Sequence, residues 1–299
     1  MRVLVTGGAG FIGRQTVRRL LGRGDDVAVI DLEPAADAAA RHVQGDIRDP
    51  RAVAEALSEG TDAVVHLAAL TRVLDSMNDP DGTFRTNVLG THLLLERARE
   101  TGTGAFVLAS TNAVVGDVGS RVINEQIAVR PLTPYGATKA AGEMLMSAYS
   151  ASYGLKTVAL RFTNVYGEGM QLKDSVIARL MRAALSGGGI QIYGDGEQVR
   201  DYVYVSDVVQ SIELAMSLPV SDVLTIGLGH SVSMNELFAI CCEVTGVEIA
   251  REHIAAKAGE MPAVIVDNSH ARQMGWVPEH DIVAGMKATW EDFKLNHHA

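Results

Sequence analysis

Cysteine is almost absent. Only Cys241 and Cys242 occur among 299 residues, and they are adjacent. That excludes a disulfide framework, a C-x-x-C pair and zinc-ligand spacing, and it predicts a reducing compartment, the cytoplasm. Positive charge is in short supply: 26 Lys and Arg against 36 Asp and Glu leave a formal charge of −10. A chain of that sign is a poor general binder of nucleic acid or of an anionic membrane. An anionic ligand therefore needs cations placed locally. No apolar run approaches the roughly 18 residues of a membrane span. The first residues show neither a basic n-region nor a small-residue cleavage site, which predicts that there is no secretory leader. The nine histidines form no H-x-H or H-E-x-x-H pattern, so no metal site is expected. A 47% hydrophobic and 21% charged composition nevertheless supplies a sizeable core, and the length suits two domains or one large one.

Apolar runs bounded by glycine alternate with helical spacing through the first half. Val3–Val5, Val27–Ile30, Ala63–His66, Ala105–Leu108 and Val158–Phe162 read as buried strands. Phe11–Arg23 reads as a helix. Phe84, Val88, Thr91, Leu95 and Ala98 step by 4, 3, 4 and 3, which predicts a second helix with all five turned inward. Tyr135–Tyr153 reads as a third, with Thr133 as N-cap and Pro134 at its first position. This order predicts an α/β fold with a doubly wound parallel sheet. The second half is less regular and reads as a smaller α+β region.

Gly7-Gly8-Ala9-Gly10-Phe11-Ile12-Gly13 lies between the first strand and the first helix. Read from Gly7, it is G-x-x-G-x-x-G. Glycines there permit a tight turn, close approach of backbone to a pyrophosphate, and close helix–strand packing. The helix N-terminus adds N–H donors and a positive pole. Asp31 ends the second strand, 18 residues after Gly13. A carboxylate at that place accepts from ribose hydroxyls and repels a 2′-phosphate, and Glu33 adds to the repulsion, which favours NAD over NADP. The bland alternative is a strand–turn–helix that holds no ligand.

Tyr135 and Lys139 stand at i and i+4, on one face of one helix. A cation about 4 Å from a phenol, at an effective dielectric near 20, offers about 4 kcal/mol. That would lower a tyrosine pKa by about three pH units and make it a proton acceptor near neutrality. Alone, the Y-x-x-x-K pair is common on helix surfaces; beside a dinucleotide turn it gains weight.

With these motifs in order, the chain resembles the extended short-chain dehydrogenase/reductases of the NAD-dependent nucleotide-sugar epimerase/dehydratase family, those like UDP-glucose 4-epimerase in particular. The further carriers are Asp46-Ile47, His66–Ala69, Asn87–Thr91, Ser110-Thr111, Arg161–Gly167 and Arg200–Val205. The resemblance implies a Rossmann domain over residues 1–165 and about 195–228, and a smaller α+β nucleotide-sugar domain over about 166–194 and 229–299. It implies NAD held by Gly7, Gly10, Phe11, Ile12, Gly13, Asp31, Leu32, Asp46, Ile47, Leu67, Ala68 and Ala69. It implies catalysis by Tyr135, Lys139 and Thr111, with Tyr135 and Lys139 also touching the cofactor. It implies a substrate held by Thr111, Asn164, Arg200 and Lys257, and a homodimer built on helices near Phe84–Arg99 and Thr133–Tyr153. Asn87 is implied to be structural. His66 and Arg161 read as a packed strand-end residue and an ion-pairing residue, and a surface or inter-domain salt bridge to a residue such as Asp201 is the alternative reading of Arg200.

The dehydratases of this family place an acid directly after the catalytic threonine. Here Thr111 is followed by Asn112 and Ala113, and an amide does not titrate. Dehydration is therefore disfavoured, and 4-epimerisation of a UDP-sugar needs only Tyr135, Thr111 and NAD. The alternatives are a nucleotide-sugar 4-ketoreductase or dehydrogenase, a decarboxylase or dehydratase with displaced acids, and a non-catalytic NAD-sensing protein. Three positions depart from the family pattern. Val114-Val115-Gly116 lacks an aromatic residue. Lys257-Ala258-Gly259-Glu260 offers lysine where arginine is usual. Val264 stands where the family gates a C2 substituent of the sugar.

Overall fold

The glycine-bounded apolar runs become the strands of one sheet. In chain order these are β1 (Arg2–Thr6), β2 (Asp26–Asp31), β3 (Arg41–Gln44), β4 (Ala63–His66), β5 (Ala105–Thr111) and β6 (Lys156–Phe162). With the strand Asp222–Ile226 they form a seven-stranded sheet in the order Asp222–Ile226, β6, β5, β4, β1, β2, β3. The pairings among β1 to β6 are all parallel. The computed structural model describes residues 1–34, 37–256 and 263–296. Contacts divide the chain into two compact units: residues 1–117, 125–162 and 209–225, and residues 118–124, 163–208 and 226–299.

In the first unit, Leu4, Ile30, Val64 and Phe106 share a buried cluster with Leu94, Leu95 and Ala98 of α2 (Gly90–Glu100) and Met146 of α3 (Pro134–Tyr153). Each fully buried side chain of that size is worth about 1.5–3 kcal/mol, which makes this cluster the main support of the sheet. The strand order reverses between β1 and β4, so a crevice opens at their carboxyl ends. Gly7 follows β1 there, and Leu67–Ala69 follow β4. Leu67 N–H donates to Thr6 O at 3.2 Å and Gly7 N–H to Ile30 O at 2.9 Å, which fixes the two loops to the strand ends.

The helix expected around Phe84 departs from the sequence reading. Arg85–Leu89 forms a π-turn between the short helix Pro80–Phe84 and α2. One extra residue in the turn shifts the inward face. Thr83, Asn87, Thr91, Leu95 and Ala98 are buried, Val88 is half-buried, and Phe84 is 46% exposed. The unit boundaries also differ from the sequence expectation. Residues 195–208 lie in the second unit, because β8 (Val199–Tyr204) pairs there with β7 (Asn164–Tyr166) and β9 (Ser231–Ser233). The buried Asp201 of β8 ties that unit together. Its carboxylate accepts from Thr163 Oγ1 at 2.9 Å, Leu228 N–H at 2.9 Å and Gly229 N–H at 2.8 Å. None of the described helices is long and apolar enough to cross a membrane.

Candidate active site

The glycine turn is shaped by close approach. Gly7 has φ +72°, and a Cβ there would lie 2.7 Å from Ala68 N. A Cβ on Gly13 would lie 2.0 Å from Gly7 O. The turn therefore cannot carry side chains without opening. Gly10 caps α1 (Phe11–Gly22) with no side-chain bond, which turns the helix's positive pole towards a ligand. Phe11 and Ile12 follow in its first turn. Asp31 accepts from Ala9 N–H at 2.9 Å and Glu33 N–H at 3.0 Å, one bond on each oxygen. A carboxylate has about four acceptor positions, so capacity remains for two ribose hydroxyls. Leu32, beside it, is exposed. Asp46 is held below the usual carboxylate range by the Arg48 guanidinium at 2.5 Å, and Ile47 is buried. Leu67, Ala68 and Ala69 are half-buried at the end of β4. The cradle closed to any side chain, the helix pole and the pre-set acid fit a dinucleotide.

Tyr135 and Lys139 project from the start of α3 as the sequence predicts. Pro134 is its first residue, and Thr133 Oγ1 accepts from Gly136 N–H at 3.2 Å. A Cβ on Gly136 would meet Ala113 O at 2.7 Å, so glycine here lets α3 lie against the turn Asn112–Val115. That contact, not visible in the sequence, brings Thr111 close enough to Tyr135 for its hydroxyl to oppose the rise in the phenol pKa. Val114 and Val115, in the same turn, are buried. The expected acidity of Tyr135 belongs to the site with a nicotinamide bound; in the free chain burial dominates. Burial raises the Tyr135 pKa, and the Thr111 hydrogen bond is what opposes it. Desolvation of the phenolate outweighs the attraction assumed from helix spacing alone. Lys139 is itself buried, and burial pushes it down to about 8 while Glu143 pulls it up.

Beneath this pair runs a chain of buried hydrogen bonds. Ala68 N–H donates to Thr6 Oγ1 at 3.1 Å, and Thr6 Oγ1 meets His66 Nδ1 at 2.7 Å. His66 Nε2 meets Thr91 Oγ1 at 2.8 Å, and Thr91 donates to Asn87 O at 2.6 Å. Since Thr91 spends its proton on Asn87, His66 donates from Nε2 and accepts at Nδ1, a neutral tautomer. Burial, then Lys139, push His66 down to about 3. Asn87 accepts from Leu70 N–H at 2.8 Å and donates to Leu70 O at 2.9 Å and Thr138 Oγ1 at 3.0 Å. It pins the loop after Ala69 to α3, the structural part read for it.

In the second unit, Asn164 of β7 and Arg200 of β8 both line a cavity of about 1060 Å³. Asn164 Nδ2 donates to Asp201 O at 2.8 Å, and Arg200 Nη1 to Val199 O at 2.8 Å. The Asp201 carboxylate, one partner considered for Arg200, is engaged elsewhere, and neighbouring strand residues face opposite ways. Sequence reading missed three more arginines of the cavity: Arg179 and Arg182 on α4 (Val176–Ser186), and Arg251, stacked 4.9 Å over the Phe238 ring. Two arginines three apart on an apolar helix of an acidic chain were the available signal. Val264 is buried, its backbone bonded to Val199 O at 3.0 Å and Ser231 Oγ at 3.0 Å. Lys257 lies outside the described residues. No cluster of three or more His, Cys, Asp or Glu able to hold a metal occurs among the described residues.

The sequence profile of the NAD dependent epimerase/dehydratase family matches residues 3–227. The crystal structure of the UDP-glucose 4-epimerase of Thermotoga maritima with UDP-glucose superposes with a TM-score of 0.95, at 33% identity over 100% of both chains. The UDP-glucose 4-epimerase of Thermus thermophilus in complex with NAD superposes with a TM-score of 0.91, at 34% identity over 98% of this chain and 99% of that one. A dTDP-glucose 4,6-dehydratase of Streptomyces griseus is 35% identical over 96% of this chain and 92% of its own length.

Proposed function

Because the chain belongs to the NAD-dependent epimerase/dehydratase family, we propose that it inverts C4 of a UDP-sugar, of the UDP-glucose, UDP-glucuronate or UDP-N-acetylglucosamine type. The observation that carries this reading is the Thr111–Tyr135 hydrogen bond with Lys139 buried one turn along and no acid after Thr111. Bound NAD supplies a hydride acceptor that can give the hydride back. Tyr135 takes the proton of the C4 hydroxyl and later returns it. Thr111 holds the reacting oxygen and the phenol together. The Lys139 ammonium offsets the phenolate charge. A 4-keto sugar that presents its other face before reduction becomes the C4 epimer.

The first unit is read as the NAD-binding domain, with Asp31 selecting against a 2′-phosphate. The second is read as the nucleotide-sugar domain. Asn164 and Arg200 take the diphosphate, supported by their shared arginine-rich cavity, and Lys257 is assigned to the nucleotide by the resemblance. A homodimer is proposed through α2, α3 and the π-turn, supported by the exposed apolar side chains of Phe84, Leu89, Met144 and Tyr153. The two unpaired cysteines support a cytoplasmic setting.

The test is to incubate the purified protein with UDP-glucose, UDP-glucuronate and UDP-N-acetylglucosamine, without added cofactor. The reading requires a C4 epimer of at least one sugar and no net change at 340 nm. Stoichiometric NADH formation without an epimer would instead assign an oxidoreductase.

A further inference from the structure

Glu143 is a charged side chain inside the first unit that the proposed reaction does not use. It lies one turn beyond Lys139, so Tyr135, Lys139 and Glu143 occupy i, i+4 and i+8 on one face of α3. Three donors fix its carboxylate. Arg161 Nη2 donates to Oε2 at 2.7 Å, Arg161 Nε to Oε1 at 3.0 Å, and Ser110 Oγ to Oε1 at 2.5 Å. Ser110 and Arg161 are register partners on β5 and β6, so both strands aim at one carboxylate. Glu143, Arg161, Ser110 and Lys139 are each buried. Arg161 Nη1 is also buried and has no partner among the described residues.

Buried ion pairs are poor stabilisers, because desolvation cancels most of the attraction. An arginine–carboxylate fork with one nitrogen unsatisfied is therefore badly explained as a stabilising device. Its neighbour explains it better. Lys139 must stay charged in a dry site to offset the Tyr135 phenolate. The titratable and charged groups around it are Tyr135 and Glu143 on its own helix, His66 on β4, and Arg161 on β6 behind Glu143. His66 is neutral. Glu143 is the one fixed anion in that set.

We propose that Glu143, held in place by Arg161 and Ser110, is a positioning residue of the reaction whose negative charge keeps Lys139 an ammonium ion. This rests on the reading of Tyr135 as the proton acceptor. Arg161 has two opposed effects: it fixes the carboxylate in place, and it dilutes its charge. Removing the negative Glu143 lowers the Lys139 midpoint, and removing the positive Arg161 raises it as long as Glu143 stays ionised. A merely structural pair would leave the alkaline limb of kcat/KM where it is.

The experiment is a pH titration of the protein labelled with ¹³C-lysine, which gives one ε-methylene signal for each of six lysines. Lys139→Met identifies the signal of interest. In Glu143→Gln the midpoint of Lys139 falls by about one pH unit or more. In Arg161→Met it rises, and Glu143→Asp restores it towards the parent value. The alkaline limb of kcat/KM moves with the midpoint in each variant. Should Arg161→Met fail to fold, the fall in Glu143→Gln and its recovery in Glu143→Asp decide the test. A Lys139 midpoint unmoved in Glu143→Gln overturns the proposal, whatever happens to the melting temperature. The titration needs no turnover, so it can fail while Tyr135→Phe still abolishes activity; loss of the Tyr135 reading would show only in the latter.

Discussion

The buried row beside Tyr135 in the first unit and the cavity wall of the second handle charge in opposite ways. In the first, Lys139, Glu143 and Arg161 are few, buried and countered almost one for one, with His66 kept neutral beside them. In the second, Arg179, Arg182, Arg200 and Arg251 line a wide cavity of about 1060 Å³, in a chain whose formal charge is −10. A buried charge shifts protonation strongly, so a single residue decides the outcome. Cations on an open wall are screened and share their ligand, so each contributes modestly. The first arrangement suits moving a proton, the second holding a polyanion.

Tyr135→Phe is the strongest way to break that contrast. It should lower kcat about 10³-fold, in the range of a lost general acid–base. The fraction of protein carrying NAD should stay unchanged, as shown by absorbance after denaturation. Residual turnover near the parent rate would mean that the buried row does not move the proton.

His66 gives a pH test of the same unit. Its ordinary pKa of 6.5 is depressed to about 3 in the folded chain, so the unfolded state binds its proton first. Its contribution is complete above about 6.5 and is lost as pH falls towards 3, at about 1.4 kcal/mol per pH unit. Urea unfolding at pH 7, 6 and 5 should show this slope, reduced by that amount in His66→Gln. An equal slope in both proteins would remove His66 from the buried set.

Arg200→Met should have the smallest effect and sharpen the comparison. Losing charge-assisted hydrogen bonds of about 1.5–3 kcal/mol raises KM about 10- to 100-fold. The value of kcat should stay within about twofold, because the neighbouring arginines still hold the ligand. A fall in kcat as large as that of Tyr135→Phe would erase the division of labour between the units.

What could be read from sequence follows the same division. The turn Gly7–Gly13, Asp31 and the capped start of α3 are local devices, each set by a few consecutive residues, and the structure places them where spacing predicts. The Thr111–Tyr135 contact depends on Gly136 meeting Ala113 O, and the Glu143–Arg161 fork joins a helix to a strand. Both are tertiary facts with no periodicity. Phe84 was misplaced because a π-turn leaves no mark in the hydrophobic pattern when the residues on either side keep helical spacing. The burial that raises the Tyr135 pKa in the free chain is likewise absent from spacing, which reports a neighbour's charge and not the loss of water around both groups.

The widened turn at Arg85–Leu89 has a consequence for how the chain tolerates change. It acts as a one-residue spacer, and its Asn87 is bolted to Leu70 and Thr138. Deleting any one of the other four residues would rewind the segment as ordinary helix and swing Asn87 by about 100° around the axis. The strap after Ala69 would then lose its fastening, although every residue assigned to the candidate site would still be present.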